Sequence, residues 1–150
     1  MTVDFGYKRA PSFRVATLSR TGAWDEKKLR GQFKTLMEWA RKNHLRTGHW
    51  LFFEPDMRTF IAGVEVRGKA KGSGRIRLRT VPASTVASVI FDPDVVSPRV
   101  VYHGLNDWLR WQKKEKAIKK ALSYREVYSG DPWSGPKVWA HTEIQVVVKK

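Results

Sequence analysis

The sequence contains no cysteine. Disulfides, thiolate zinc sites, iron–sulfur clusters and a cysteine nucleophile are thereby excluded, and a reducing cytoplasm is the expected compartment. Long apolar runs are missing as well. None exceeds a few residues, too short to cross a bilayer, and the N-terminal stretch has no apolar segment of signal-peptide length. The four histidines, His44, His49, His103 and His141, lack metal-ligand spacing such as H-E-x-x-H, so neither a metal nor a cofactor is expected. No G-x-S-x-G elbow exists, and Ser134 between Trp133 and Gly135 reads as turn chemistry. Acidic residues are scarce: 14 Asp and Glu stand against 29 Lys and Arg, a formal net charge of +15.

That basic excess is spread over both halves rather than gathered in a tail. Two denser patches stand out: Arg67, Lys69, Lys71, Arg75, Arg77 and Arg79, then Arg110, Lys113, Lys114, Lys116, Lys119 and Lys120. They read first as solvated surface and second as a nucleic-acid contact, which a steep fall of affinity with salt would reveal. Seven Trp among 150 residues is an unusual aromatic load, suited to a generous core or a ligand cavity. The length suits one domain over residues 1–150.

The most informative feature is internal repetition. Pro11, Val15 and Ala16 recur as Pro82, Val86 and Ala87, 71 residues on. Leu36, Glu38, Trp39 and Arg41 match Leu105, Asp107, Trp108 and Arg110. Ala62, Glu65 and Val66 match Ala140, Glu143 and Ile144. Three matches in the same order make a duplication, with repeat 1 at about 3–67, a Gly- and Lys-rich linker or hairpin at 68–74, and repeat 2 at about 75–150. The linker lacks the Gly spacing and Gly-Lys-Ser/Thr ending of a phosphate-binding loop.

Each repeat reads as strand, helix, strand, strand. Residues 13–19 and 84–91 are β-rich stretches entered after a Pro. Asp25 and Glu26 open a helix whose Leu29, Phe33, Leu36 and Ala40 share one face to near Asn43. Ser97 and Pro98 open its counterpart, with Val101, Leu105 and Trp108 on the stripe. Segments 50–54 and 59–66 flank a turn at Pro55 and Asp56, and segments 124–128 and 138–148 flank the Gly/Pro/Asp-rich stretch 129–136. The expected fold is α+β: two tandem βαββ units forming an antiparallel sheet with both helices on one side.

This layout resembles the GyrI-like small-molecule-binding family, related to the effector-binding domains of AraC- and MerR-type regulators and to the SOUL-like duplicated fold. The residues that carry the likeness are the Val15-Ala16 strand followed by Gly22, the Leu36/Trp39 helix, and Glu54-Pro55-Asp56 leading to Arg58. They continue with Pro82-Ala83, Arg125-Glu126-Val127-Tyr128 with Asp131-Pro132, and the terminal Thr142-Glu143-Ile144 strand. The resemblance implies a cleft between the halves that captures flat, aromatic, often cationic compounds, contacted by Glu143, Glu126 and Tyr128. It also implies an alternative, a hydrolase of strained cyclopropane-bearing electrophiles using Glu143 and Tyr128. Asp92-Pro93-Asp94 departs from the Gly-aromatic turn of many members. No helix-turn-helix precedes the duplicated unit, so a composite DNA-binding regulator is not expected.

The residues themselves point the same way. In a strand through 139–147, Trp139, His141, Glu143 and Gln145 share one face, and a carboxylate beside an indole and an imidazole is costly to bury unless paired. An aromatic surround also suits a cation. Tyr124, Glu126 and Tyr128 share a strand face. Glu65, the repeat mate of Glu143, is a further ligand candidate. Trp108 and Trp39 read as helix-to-sheet packing, with Trp108 and Trp133 kept as ligand contacts. Partners beyond a small molecule, and the oligomeric state, are not legible.

Overall fold

A computed structural model describes residues 3–150. The chain is α+β, and its strands and helices alternate as β1 (Gly6–Ala10), β2 (Phe13–Thr21), α1 (Glu26–Lys42), β3 (Arg46–Asp56), β4 (Thr59–Arg67), β5 (Arg77–Val81), β6 (Ser84–Phe91), α2 (Pro98–Lys114), β7 (Lys120–Tyr128), α3 (Pro136–Trp139) and β8 (Thr142–Lys149). All strand pairs described below are antiparallel. The chain divides into two compact units: unit 1 is Met1–Ala10 with Ser84–Lys150, and unit 2 is Pro11–Ala83. Among the described residues no helix is long and apolar enough to cross a membrane.

Unit 2 arranges its strands in the order β3-β4-β2-β5. Its helix α1 starts where Asp25 accepts a hydrogen bond from the Lys28 amide at 3.1 Å, capping a free N–H of the first turn. Leu29, Phe33, Leu36, Trp39 and Ala40 are buried along one face, the stripe that helical spacing predicts. Gln32 interrupts this stripe, and its amide donates to the carbonyls of Leu18 at 2.8 Å and Phe60 at 3.1 Å. The β3–β4 turn falls at Met57 and Arg58, just beyond the predicted Pro55-Asp56. Asp56 holds it by accepting from the Arg58 amide at 2.7 Å and from the Thr59 hydroxyl at 3.1 Å.

Unit 1 has the order β1-β6-β8-β7. Its core joins Val101, Leu105 and Leu109 of α2 to Ala87, Val89 and Phe91 of β6 and to Ile144, Val146 and Val148 of β8. The expected helix start at Ser97 and Pro98 is found, with Pro98 in the first turn. Trp108 lies at the edge of this core against Phe5, with ring centroids 5.9 Å apart, and Tyr7, 5.1 Å apart.

Two features differ from the sequence reading. Each unit carries one strand more than βαββ, an edge strand of five residues. β1 pairs with β6, Ala10 opposite Ser84, and β5 pairs with β2, Val81 opposite Phe13. Both edge strands lead into a Pro of the repeated motif, so each repeat lends its first strand to the unit built on the other. The segment 138–148 is also not one strand. Pro136 follows Gly135 and opens the short helix α3 that ends at Trp139, because Pro is preorganised for a first helical turn. Strand β8 begins only at Thr142.

Candidate functional site

Strand β8 shows how the site arises. Ile144, Val146 and Val148 are claimed by the core under α2, so the period of two sends Glu143 and Gln145 to the opposite face of the sheet. Register places Ile90 and Val127 beside Glu143, and Ser88 and Arg125 beside Gln145. On β1, Lys8 stands opposite Val86 and reaches the same face.

There the polar groups close into a network. Glu143 Oε2 accepts from Lys8 Nζ at 2.6 Å, from Ser88 Oγ at 2.6 Å and from Gln145 Nε2 at 2.9 Å. The other end of the Gln145 amide, Oε1, accepts from Arg125 Nε at 2.7 Å. Arg125 is 4% exposed. The amide orientation follows from these partners, because only its oxygen can accept from a guanidinium and only its nitrogen can donate to a carboxylate.

Charge follows geometry. Burial pushes the Glu143 carboxyl up, but the hydrogen bonds from Lys8, Ser88 and Gln145 outweigh it and the net shift is downward. Burial lowers the Arg125 pKa, and the Glu143 charge opposes that shift. Glu143 therefore stays an anion at neutral pH, with an ammonium on its open side and a buried guanidinium on its inner side. The Glu143 side chain is 13% exposed and that of Lys8 46%.

A cavity of about 450 Å³ opens where the chain before β1 leaves β6, and its walls include Asp4, Phe5, Tyr7, Lys8, Ser88 and Ile90. Ile90 is 55% exposed, an apolar surface directly opposite Glu143. Charged, hydroxyl, aromatic and aliphatic groups thus meet at one edge of unit 1, as a small-molecule pocket requires.

The other sequence candidates fall elsewhere. Glu126 and Tyr128 are one residue out of phase with Val127, the partner of Glu143, and so project to the helix side of the sheet. Tyr128 is 8% exposed, and its hydroxyl donates to Glu126 Oε1 at 3.2 Å. Burial first, and the adjacent Glu126 charge second, push its pKa strongly upward, so it remains a neutral phenol. Trp139 lies parallel to the Tyr128 ring with centroids 6.5 Å apart, and its Nε1 donates to Asp94 Oδ1 at 3.2 Å. Tyr128, Glu126 and Trp139 are thus brought together, apart from Glu143. Trp133 is half-buried in the loop between β7 and α3, where its amide donates to Asp131 at 2.9 Å. Trp108 packs beneath β1 on the helix side.

Glu65 belongs to unit 2. Its Oε1 accepts from the His49 amide at 3.1 Å and contacts His49 Nδ1 at 2.9 Å. Burial raises its carboxyl pKa, but these contacts outweigh burial and the net shift is downward. Gly48 makes room for it, since a Cβ there would lie 2.5 Å from Glu65 Oε1. The repeat mate of Lys8 is Arg79, three residues before Pro82 as Lys8 is three before Pro11. Its guanidinium lies 5.9 Å from the centre of the Phe53 ring. The two related carboxylates therefore hold different partners.

Lys8, Ser88, Gln145 and Arg125 were not among the sequence candidates. The one signal for Lys8 was this matched pair of basic residues before the two prolines. Reading it required knowing that each basic residue sits on an edge strand.

No family model matches the sequence, and no curated protein matches it. Solved structures do. The EcmrR C-terminal domain is 20% identical with a TM-score of 0.78, covering 100% of this chain and 99% of that one. In the EcmrR–DNA complex the chain spans 58% of the EcmrR chain, at 21% identity and a TM-score of 0.75. SAV2435 bound to tetraphenylphosphonium is 12% identical with a TM-score of 0.55, covering 97% and 94%. A hydrolase encoded by lin2189 from Listeria innocua is 8% identical with a TM-score of 0.60, covering 97% and 91%. At these identities the likeness is one of fold, and it is consistent with the GyrI-like resemblance carried by the sequence motifs.

Proposed function

We propose that this chain is a small-molecule-binding domain of the effector-binding type, and that it takes aromatic compounds into the cavity beside β1 and β6. The observation that carries this reading is the Glu143 network. An ionised, largely covered carboxylate with three donors sits on the sheet face that no helix of unit 1 covers, opposite an exposed Ile90 and next to a 450 Å³ cavity. A merely structural ion pair does not call for an adjoining hollow walled in part by Phe5, Tyr7 and Ile90. The fold supports the reading, since SAV2435, which shares it, has a structure bound to tetraphenylphosphonium. The lack of cysteine suits work in a reducing cytoplasm. Catalysis is not part of the proposal, because Glu143 and Tyr128 point to opposite faces of their sheet.

The test is a calorimetric titration with aromatic probes of positive, zero and negative charge, repeated on Ile90→Ser and Ser88→Ala. At least one probe binds, and Ile90→Ser weakens it about tenfold or more, on the order of the 1.5–3 kcal/mol that burying an aliphatic side chain contributes. Absence of binding by every probe, or affinities indifferent to both substitutions, overturns the proposal.

A further inference from the structure

The sequence motifs suggest that Glu143 awaits a cationic ligand. The structure shows a cation already there, supplied by the chain itself. We infer that Lys8 is the specificity-determining residue of the site, and that the site selects apolar aromatic molecules bearing an anionic or hydrogen-bond-accepting group over organic cations. This inference rests on the binding site proposed above and adds the charge of its ligand.

Three observations carry it. First, Lys8, Ser88 and Gln145 all donate to the same oxygen of Glu143. A ligand ammonium or phosphonium seeking that oxygen has to displace Lys8. Lys8 is tethered: β1 pairs with β6 over five residues, the Tyr7 hydroxyl donates to Gln112 at 2.9 Å, and Phe5 packs on Trp108. An intramolecular competitor of this kind acts at a high effective concentration.

Second, the exposed charge is the ammonium. Lys8 and Ser88 line the cavity, whereas Glu143 does not. A molecule in the cavity meets donors, and a carboxylate there gains a charge-assisted hydrogen bond. Asp4 also borders the cavity with the opposite sign; it and Lys8 are both exposed to solvent, which screens both charges, and Lys8 is the one held in place by an ion pair.

Third, the balance is positive. The chain as a whole carries +15, which concentrates anions and repels cations at low ionic strength.

Tetraphenylborate and tetraphenylphosphonium, alike in shape and opposite in charge, give the test. Both are titrated against the full chain, K8M, K8R, E143Q and, as a control for general electrostatics, K113S on α2. The wild type binds the borate more tightly than the phosphonium. K8M weakens the borate about tenfold, the loss expected for one charge-assisted contact, and strengthens the phosphonium. K8R keeps the wild-type preference, and K113S leaves both within about twofold. K8Q, which retains a donor for Glu143, replaces K8M should the latter melt far below the wild type. Phosphonium bound more tightly than borate and lost in E143Q overturns the inference, as does a preference unmoved by K8M or K8Q. Either result leaves the binding site standing. Failure of both probes to bind any of the proteins overturns the site and the inference together.

Discussion

At the scale of single residues, Glu143 links charge to stability. Its carboxyl sits below its ordinary value in the folded chain, so folding favours the ionised form. That contribution is present above the ordinary carboxylate pKa, about 4.3. It is lost as the pH falls through the lowered folded value. E143Q therefore flattens the acid limb of a melting-temperature profile, below the ordinary carboxylate range. At pH 7 it costs roughly 1 kcal/mol, a modest figure because Lys8 is half-exposed and its pairing is partly screened. An unchanged acid limb would show that Glu143 is no more favoured as an anion in the folded chain than in the unfolded one. Gly63 makes a different kind of residue-scale point. A Cβ there would lie 2.9 Å from Val15 Cγ2 and 3.2 Å from Phe53 Cε2, and Val15 is fully buried. Gly63→Ala destabilises the chain by about 1–3 kcal/mol through overpacking, readable in a urea denaturation curve.

At the scale of elements, legibility tracked burial. Strands β2 and β6 were visible because Val15, Ala16, Val86, Ala87 and Val89 are core residues with a β-type pattern. The two main helices were visible because their stripes are core stripes. β1 and β5 were not, because an edge strand signals little: Lys8, Arg9, Arg77 and Arg79 carry charge, as edge strands do to avoid further pairing. The Trp139 error has a similar root. The alternating pattern of β8 was extended backwards to residue 138, into the helical turn that Pro136 opens. The site was half legible, since Glu143 follows from β8 alone while its partner Lys8 comes from a strand that the pattern does not announce. Trp108 is the clamp that holds β1 from the helix side, so Trp108→Ala costs about 3 kcal/mol or more. It also speeds amide hydrogen exchange in Gly6–Ala10 more than in Thr142–Lys149. Equal acceleration in both segments would mean that Trp108 serves the whole core instead of the edge strand.

At the scale of the whole molecule, the two units are unequal in connectivity. Unit 2 is continuous, Pro11–Ala83, whereas unit 1 joins Met1–Ala10 to Ser84–Lys150. A fragment of residues 11–83 retains its helical circular dichroism and melts cooperatively. A fragment of residues 84–150 has an unpaired β6 edge and is unstable alone, and a peptide of residues 3–12 raises its melting temperature in a concentration-dependent way. No response to the peptide would show that β1 contributes little to unit 1. The exchanged edge strand also sets an order of events during synthesis. β1 leaves the ribosome first, yet Ser84, the partner of Ala10, follows 74 residues later. At roughly 5–20 residues per second this is a wait of about 4–15 s, while all of unit 2 has time to form. Lys8 spends that interval without its carboxylate, because Glu143 belongs to β8, which emerges after every other strand described. The proposed binding edge is thus assembled from the first and the last of the strands described, and a nascent chain lacks it until both are out.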